Sequence, residues 1–375
     1  MFNKDIKKAS NLTLFFTKFV LCIKCPLMRE SLLGKTPDEL REVALKVGLP
    51  AFAGKQLAGW LYGRRVRSFD EMTNISKAGR ERLGEEYDLG VAMPSTCQVS
   101  TDGTKKYLFP MNAGDAVEAV MIPDDDRKTL CVSSQAGCRM GCKFCMTGRQ
   151  GFHGNLSTAM ILSQFIAIDE AADLTNAVFM GMGEPLDNYV NVRRAIDVLT
   201  ADWGFGWSPK RITLSTIGVL PNLRRYLDET RCHLAVSLHN PFPEERASIM
   251  PVQKAWPVED VVNMIREYDF TGQRRVSFEY TMFAGLNDTK RHADALIRLL
   301  KGLECRVNLI RFHKIPDAPY ETSPQIVMES FRDRLSNHGI TCTIRASRGE
   351  DIMAACGMLA GEHRKNNWRT QQELQ

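Results

Sequence analysis

Three cysteines stand within one short stretch, Cys138-Arg139-Met140-Gly141-Cys142-Lys143-Phe144-Cys145. Thiolates in a C-x3-C-x2-C arrangement can hold three irons of a [4Fe–4S] cluster, leaving the fourth iron open to another ligand. A structural zinc ion would instead want a closed tetrahedron, with His153 as the candidate fourth ligand. The chain has 11 cysteines, an odd number, and the crowding of three suits a metal centre better than a disulfide framework. A reducing, cytoplasmic setting follows.

Other residues of the same kind recur at points where strands should end. Gly181-Met182-Gly183-Glu184-Pro185 closes one apolar run. Its glycines permit close backbone approach and Glu184 could take an ammonium group; the plainer reading is a strand-to-helix turn with a solvated acid. Ser215 follows Ile212-Thr213-Leu214, and Ser237-Leu238-His239 ends a further run. Glu118 lies in Val117-Glu118-Ala119-Val120-Met121-Ile122, on the same strand face as Val120 and Ile122. A carboxylate on an apolar face is costly unless it is functional or paired, or unless the strand is an edge with the acid facing water.

These positions require a scaffold of alternating strands and helices. Strands are expected at 129–133, 177–181, 211–215, 233–238, 276–281 and 306–311, with helices at 159–172, 190–200, 258–268 and 293–300. Six such units imply parallel strands with helices outside, as a partial barrel, a full barrel or a doubly wound sheet. Barrel sites lie at the C-terminal ends of strands, where the residues above fall. Before them, 95–122 reads as strands around a turn at Thr101-Asp102-Gly103. Residues 37–90 read as three helices, the first capped by Thr36 with Pro37 at N1 and ended by Gly48; the other two are expected at 55–62 and 68–87. Arg64, Arg65 and Arg67 could contact RNA phosphates beside Trp60 and Tyr62, or form a solvated helix end.

Cys131, the three-cysteine motif, the Gly-Met-Gly-Glu-Pro stretch and Arg348-Gly349-Glu350-Asp351-Ile352-Met353-Ala354-Ala355-Cys356-Gly357 occur in that order. The combination resembles the RlmN/Cfr family of radical S-adenosylmethionine (SAM) enzymes, and the resemblance runs from about 36 to 361. It implies an α/β fold, a partial (βα)6 TIM-like barrel with a small helical N-terminal domain. The corresponding division is an extension at 1–27, a helical RNA-binding accessory domain at 28–92, a β extension at 93–127, the barrel core with its C-terminal cysteine segment at 128–361, and a tail at 362–375.

The resemblance also implies chemistry. Adenine C2 is electron-poor, so direct transfer of a methyl cation to it should fail, and a radical route avoids the difficulty. One [4Fe–4S] cluster on Cys138, Cys142 and Cys145 would bind SAM, two molecules being used per turnover. Cys356 would first be methylated; a 5′-deoxyadenosyl radical would then take hydrogen from its S-methyl group, and the carbon radical would add to adenine. Glu118 would accept the C2 proton, and Cys131 would attack the Cys356 sulfur, leaving a transient disulfide. Gly183, Glu184, Ser215, Ser237, Leu238, His239 and His313 would contact SAM. His313 departs from the Asn of many relatives, and a packed barrel-end position is the alternative for it. The substrates implied are adenine 2503 of 23S rRNA and adenine 37 of certain tRNAs, with an external, flavodoxin-like electron donor, a monomeric protein and no membrane. A Cfr-like C8 methyltransferase shares the cysteine chemistry. An iron–sulfur RNA-binding or redox-sensing protein would use Cys131 and Cys356 as a regulatory pair. Cys97, Cys232, Cys305 and Cys342 read as ordinary core cysteines.

With 375 residues, 44% hydrophobic and 25% charged, the chain suits a soluble globular protein with an ample core. Its net charge of +5 lies almost wholly in residues 1–27, which hold five lysines against Asp5, so the total gives no general nucleic-acid-binding charge. The apolar run at 12–23 is too short to span a bilayer, and Met28 is the expected start of translation.

Overall fold

Thr36 accepts a hydrogen bond from the Glu39 amide (3.3 Å) and Glu39 returns one from the Thr36 amide (2.7 Å), so a capping box opens α1, Pro37–Lys46. Gly48, at φ +70°, follows its end. In the computed structural model the described residues are 29–111, 114–270, 272 and 274–354. The expected second helix is α2, Ala53–Ala58, running into a π-helical turn at Gly59–Arg64. The expected third is not continuous. Ser68 caps a 3-10 turn at Phe69–Glu71, and Ser76 caps a separate α3, Lys77–Glu86. Asn74, in the break between them, accepts the Trp60 indole N–H at 2.5 Å, which ties the interruption to the π-helical turn. Strand β1 (Glu30–Ser31) pairs in parallel with β2 (Tyr87–Asp88) and closes this unit. Its apolar faces share one continuous core with the rest of the chain.

The main sheet begins with three antiparallel strands, β3 (Thr96–Val99), β4 (Lys105–Pro110) and β5 (Ala116–Asp124). Strand β5 pairs antiparallel with β6 (Arg127–Cys131). A small antiparallel pair, β7 (Gln135–Gly137) and β8 (Phe152–Asn155), follows β6 and encloses the three-cysteine stretch. From β6 the sheet continues in parallel through β9 (Asn176–Phe179), β10 (Ile212–Thr216), β11 (His233–Ser237), β12 (Val276–Met282), β13 (Arg306–Arg311) and β14 (Thr341–Ile344). The parallel run therefore holds seven strands rather than the six expected. The helix Gln325–Ser336 and β14 were not read from the sequence, because Thr341-Cys342-Thr343-Ile344 is short and lies among polar residues.

The ten strands form a linear order with β3 and β14 at its edges, so among the described residues the sheet is an open barrel. Apolar side chains of the parallel strands are buried on the sheet, as helices on the outside require. After β14 the chain turns back across the open side and meets the β3–β4 hairpin, an edge-to-edge closure made by loop rather than by strand pairing. No helix among the described residues is long and apolar enough to cross a membrane. The expectations for 1–27 and 362–375 lie outside the described residues.

Candidate active site

The loop leaving β6 is turned by Gly137 (φ +68°) and Gly141 (φ +66°), which only glycine adopts without strain. Backbone bonds pin it: Cys138 N–H donates to Gly151 O at 2.8 Å and Lys143 N–H to Ile249 O at 3.0 Å. Cys142 sits in a separate apolar cluster with Ile217, Ile249, Met250, Phe283 and Phe312. Burial pushes the Cys138 thiol up to about 12 and Cys142 higher still, with the neighbouring thiols adding to the effect. Three soft donors, Cys142 buried and Cys138 and Cys145 half-buried, fit a metal centre that ionises them on binding. Among the described residues no three His, Cys, Asp or Glu side chains converge on a single-ion position. The His153 ring nitrogens are engaged elsewhere, Nε2 3.0 Å from Gln150 O and Nδ1 3.7 Å from the Asp115 carboxylate. The donor set thus fits a cluster spread over several irons better than one zinc ion.

Next to this loop, Gly183 (φ +94°) presses on Gln135, where an added Cβ would come within 2.4 Å of that side chain. The close approach expected of these glycines is thus an approach to the strand that follows β6. Glu184 is buried rather than solvated. Its carboxylate accepts from the Thr216 hydroxyl (2.7 Å) and from the amides of Ile217 and Leu186 (3.0 Å each). Burial outweighs those bonds and raises its pKa to about 7. Ser215 and Ser237 are half-buried at the ends of β10 and β11, and Leu238 is buried. His239 has φ +56°, and its Nδ1 accepts from the Thr281 amide at 2.9 Å, so the ring's own proton belongs on Nε2. Burial lowers its pKa to about 3 and keeps it neutral. Its ring meets Phe144 of the cysteine loop edge-on, centroids 4.9 Å apart. His313 is exposed just beyond β13, which overturns the packed alternative.

Across the sheet lies the second half of the site. Residues Lys106, Val120, Cys131 and Val178 stand opposite one another on β4, β5, β6 and β9, and so share a face. Glu118, two residues from Val120, projects on that same face. Glu118 is 3% exposed on an interior strand, so it does not face water from an edge. The Lys106 ammonium, 1% exposed, lies 4.0 Å from its carboxylate. Cys131 is half-buried, and its surroundings push the thiol up to about 11, opposed by the Arg345 guanidinium and the Met180 amide. Arg345 also pairs with Glu279 at 3.5 Å. Glu279 itself joins Ser277, Asn308 and, through Asn308, Thr343 in a polar row over β12–β14.

The segment after β14 is tied down over this face. Asp351 accepts from the Ser100 hydroxyl (2.5 Å) and the Thr101 amide (3.0 Å), and Asp102 accepts from the Gly349 amide (2.9 Å). Arg348 bonds Asp124 at 3.1 Å, and Lys106 donates to the Met353 carbonyl. Cys356 lies outside the described residues, which reach Ala354. All cysteines described are free thiols, and the disulfide expected of Cys131 is no part of this structure.

Lys106, Thr216, Arg246, Glu279 and Arg345 were not singled out from the sequence. Arg246 is fully buried and holds the Ser237 and Leu238 carbonyls at 3.0 and 2.9 Å, in a stretch that reads as an ordinary charged helix. Lys106 offered only a weak signal, since it stands beside Lys105 at the start of its strand. Two of the arginines expected to meet RNA are bonded to backbone carbonyls of the barrel. Arg65 donates to Ala171 O and stacks 4.5 Å from the Phe205 ring centre; Arg67 donates to Ile166 O at 3.1 Å. A cation is favoured at the Ile166 carbonyl because it closes the helix Thr158–Ile166. Cys97 is exposed on edge strand β3 rather than in the core, and Cys305 is half-buried.

Residues 132–299 match the radical SAM superfamily and residues 30–89 the ribosomal RNA large subunit methyltransferase N-terminal domain. A probable dual-specificity RNA methyltransferase RlmN from Porphyromonas gingivalis is 62% identical over 88% of this chain and 96% of its own length. The chain belongs to the RlmN family. A member from Syntrophus aciditrophicus is 40% identical over 87% of the chain and 94% of its own length. The crystal structure of a radical SAM methyltransferase from Sphaerobacter thermophilus covers 88% of the chain and 98% of that protein, with TM-score 0.83 and 37% identity. Membership of the RlmN family makes the protein a radical SAM enzyme, so a [4Fe–4S] cluster and SAM are its cofactors.

Proposed function

We propose that the protein methylates C2 of adenine 2503 in 23S rRNA and of adenine 37 in certain tRNAs, through a methyl group carried on Cys356. Cys138, Cys142 and Cys145 would hold the one cluster, which when bound supplies the electron that opens SAM. Gly183, Glu184, Ser215, Ser237, Leu238, His239 and His313 would line the SAM site. In that role the neutral His239 offers an Nε2–H donor, and Glu184 can regain its charge beside an ammonium. Cys356 takes a methyl group from one SAM and, after a second is consumed, links to the base. Glu118 accepts the C2 proton and Cys131 then attacks the Cys356 sulfur to release methylated RNA.

The observation that carries this reading is the fastening of 348–354 across the open barrel. The Met353 carbonyl, three residues before Cys356, and the Glu118 carboxylate share the Lys106 ammonium, on the face that also bears Cys131. RNA and an external electron donor are the partners this chemistry needs. Mass spectrometry of rRNA and tRNA nucleosides from a deletion strain complemented with this gene tests it. 2-Methyladenosine is expected. 8-Methyladenosine would establish the C8 reaction, and neither product would leave an iron–sulfur RNA-binding or sensing role.

A further inference from the structure

A buried ammonium is tolerated only where acceptors replace water around it. Lys106 is almost fully buried, and its tip meets the Met353 carbonyl and, at 4.0 Å, the Glu118 carboxylate. One belongs to the C-terminal segment and the other to β5. The remaining fastenings of that segment run to the β3–β4 turn, through Asp102 and Asp351, and to Asp124 at the far end of β5. Lys106 alone among these fastenings reaches the carboxylate side of the face.

We infer that Lys106 is a positioning residue that couples the placement of the cysteine-bearing segment to the charge on Glu118. At 4.0 Å the two ends attract by charge rather than through a direct hydrogen bond. While Glu118 is ionised, the ammonium is held between carboxylate and Met353 carbonyl, and the segment is docked. Once Glu118 has accepted a proton, the attraction of its charge is gone. The ammonium then loses that attraction, and the dock loosens at the stage when methylated RNA must leave. No bond is made or broken by Lys106; only the balance of charge around it changes.

This inference rests on the reading that Cys356 carries the methyl group, and its test does not. Hydrogen exchange of the 348–354 amides would be followed in cluster-loaded protein without RNA or SAM. Glu118→Gln, which mimics the protonated acid, should raise exchange there about tenfold or more, the scale of one charge-assisted interaction. Lys106→Met should do the same, and the double variant should add nothing further, because both act on one interaction. The double variant also removes the unpaired buried charge that could unfold either single one, and cluster absorbance reports intact fold in each. Unchanged exchange in Glu118→Gln, or additive effects in the double variant, overturns the coupling. Lys106→Met isolated from cells should in addition carry covalent RNA, as a buried acid left without its ammonium rests protonated and cannot take the C2 proton. A lysine that served stability alone would give no such adduct. Failure of the methyl-carrier reading would show separately, as absence of adduct in Cys131→Ala with the exchange pattern intact.

Discussion

Glu184 and Glu118 are both buried carboxylates at the open end of the barrel, yet they are solvated by the protein in opposite ways. Glu184 is surrounded by a hydroxyl and two backbone amides, which satisfy its oxygens without keeping it charged, and its pKa rises to about 7. Glu118 faces a whole positive charge on Lys106. At Glu184 burial outweighs the three donors, whereas at Glu118 a neighbouring cation favours the charged form. The first arrangement suits a group that waits for a cationic ligand to restore its charge. The second suits a proton acceptor ready before the substrate arrives.

The largest effect expected on the Glu184 side comes from its neighbours in the cysteine loop. Cys142→Ala should abolish the cluster and all methylation, seen as loss of visible absorbance in anaerobically reconstituted protein. Iron retained with an unchanged spectrum would remove the basis for assigning that half of the site. On the Glu118 side the expected effect is accumulation rather than loss. Cys131→Ala and Glu118→Ala from cells should carry nuclease-sensitive covalent RNA, whereas Cys356→Ala should carry none. Glu184→Gln should also carry none, because it acts before any bond to RNA forms. Adduct in Glu184→Gln, or its absence from Cys131→Ala that still consumes SAM, would erase the distinction between the two acids.

The two halves were not equally legible in the sequence. The cysteine loop is contiguous, so its spacing pointed to a metal centre without knowledge of the fold, and Gly183 and Glu184 fall at a strand end that periodicity could locate. The second half is assembled from β4, β5, β6 and a segment beyond β14. Glu118 was reachable as an anomaly on an apolar strand and Cys131 through the family resemblance, but nothing local to Lys106 or Arg345 says which strand they will stand beside. Register across the sheet supplies that. The capping box at Thr36 was legible because it is local, while the seventh parallel strand was hidden in four polar-flanked residues. Arg246 shows the limit most plainly: a surface-looking charge is buried because two strand-end carbonyls need a donor.

A smaller effect concerns the thiol beside Glu118. Burial raises Cys131 to about 11, and Arg345 works against that. Below that value the thiolate fraction rises roughly tenfold per pH unit. Release of RNA from preformed adduct in the wild-type protein should therefore accelerate as pH is raised from about 7 to about 9, in single-turnover measurements. Arg345→Met should slow release at each pH by depriving the thiolate of its cation. A flat profile would mean that proton removal by Glu118, not thiolate attack, limits release.

The smallest effect lies farthest from both acids and separates structure from RNA binding in the helical unit. Arg64, Arg65 and Arg67 are consecutive or nearly so, yet only Arg64 has a guanidinium that is both exposed and free of backbone carbonyls, resting 4.2 Å from the Trp60 ring centre. Arg65 is half-buried against Phe205 and bonded to Ala171 O, so Arg65→Ala should cost about 1–2 kcal/mol in denaturant titrations. Arg67 is exposed, and its bond to Ile166 O should contribute less than about 1 kcal/mol. If charge in this unit meets phosphate, Arg64→Ala should lower the salt dependence of RNA binding by roughly 0.7–0.9, the slope that one neutralised phosphate contributes. The Arg65 and Arg67 variants should leave that slope unchanged while lowering stability. The reverse pattern, slopes reduced by Arg65→Ala with stability intact, would mean that the bonds to Ala171 and Phe205 give way when RNA binds, and that the helical unit moves relative to the barrel during substrate capture.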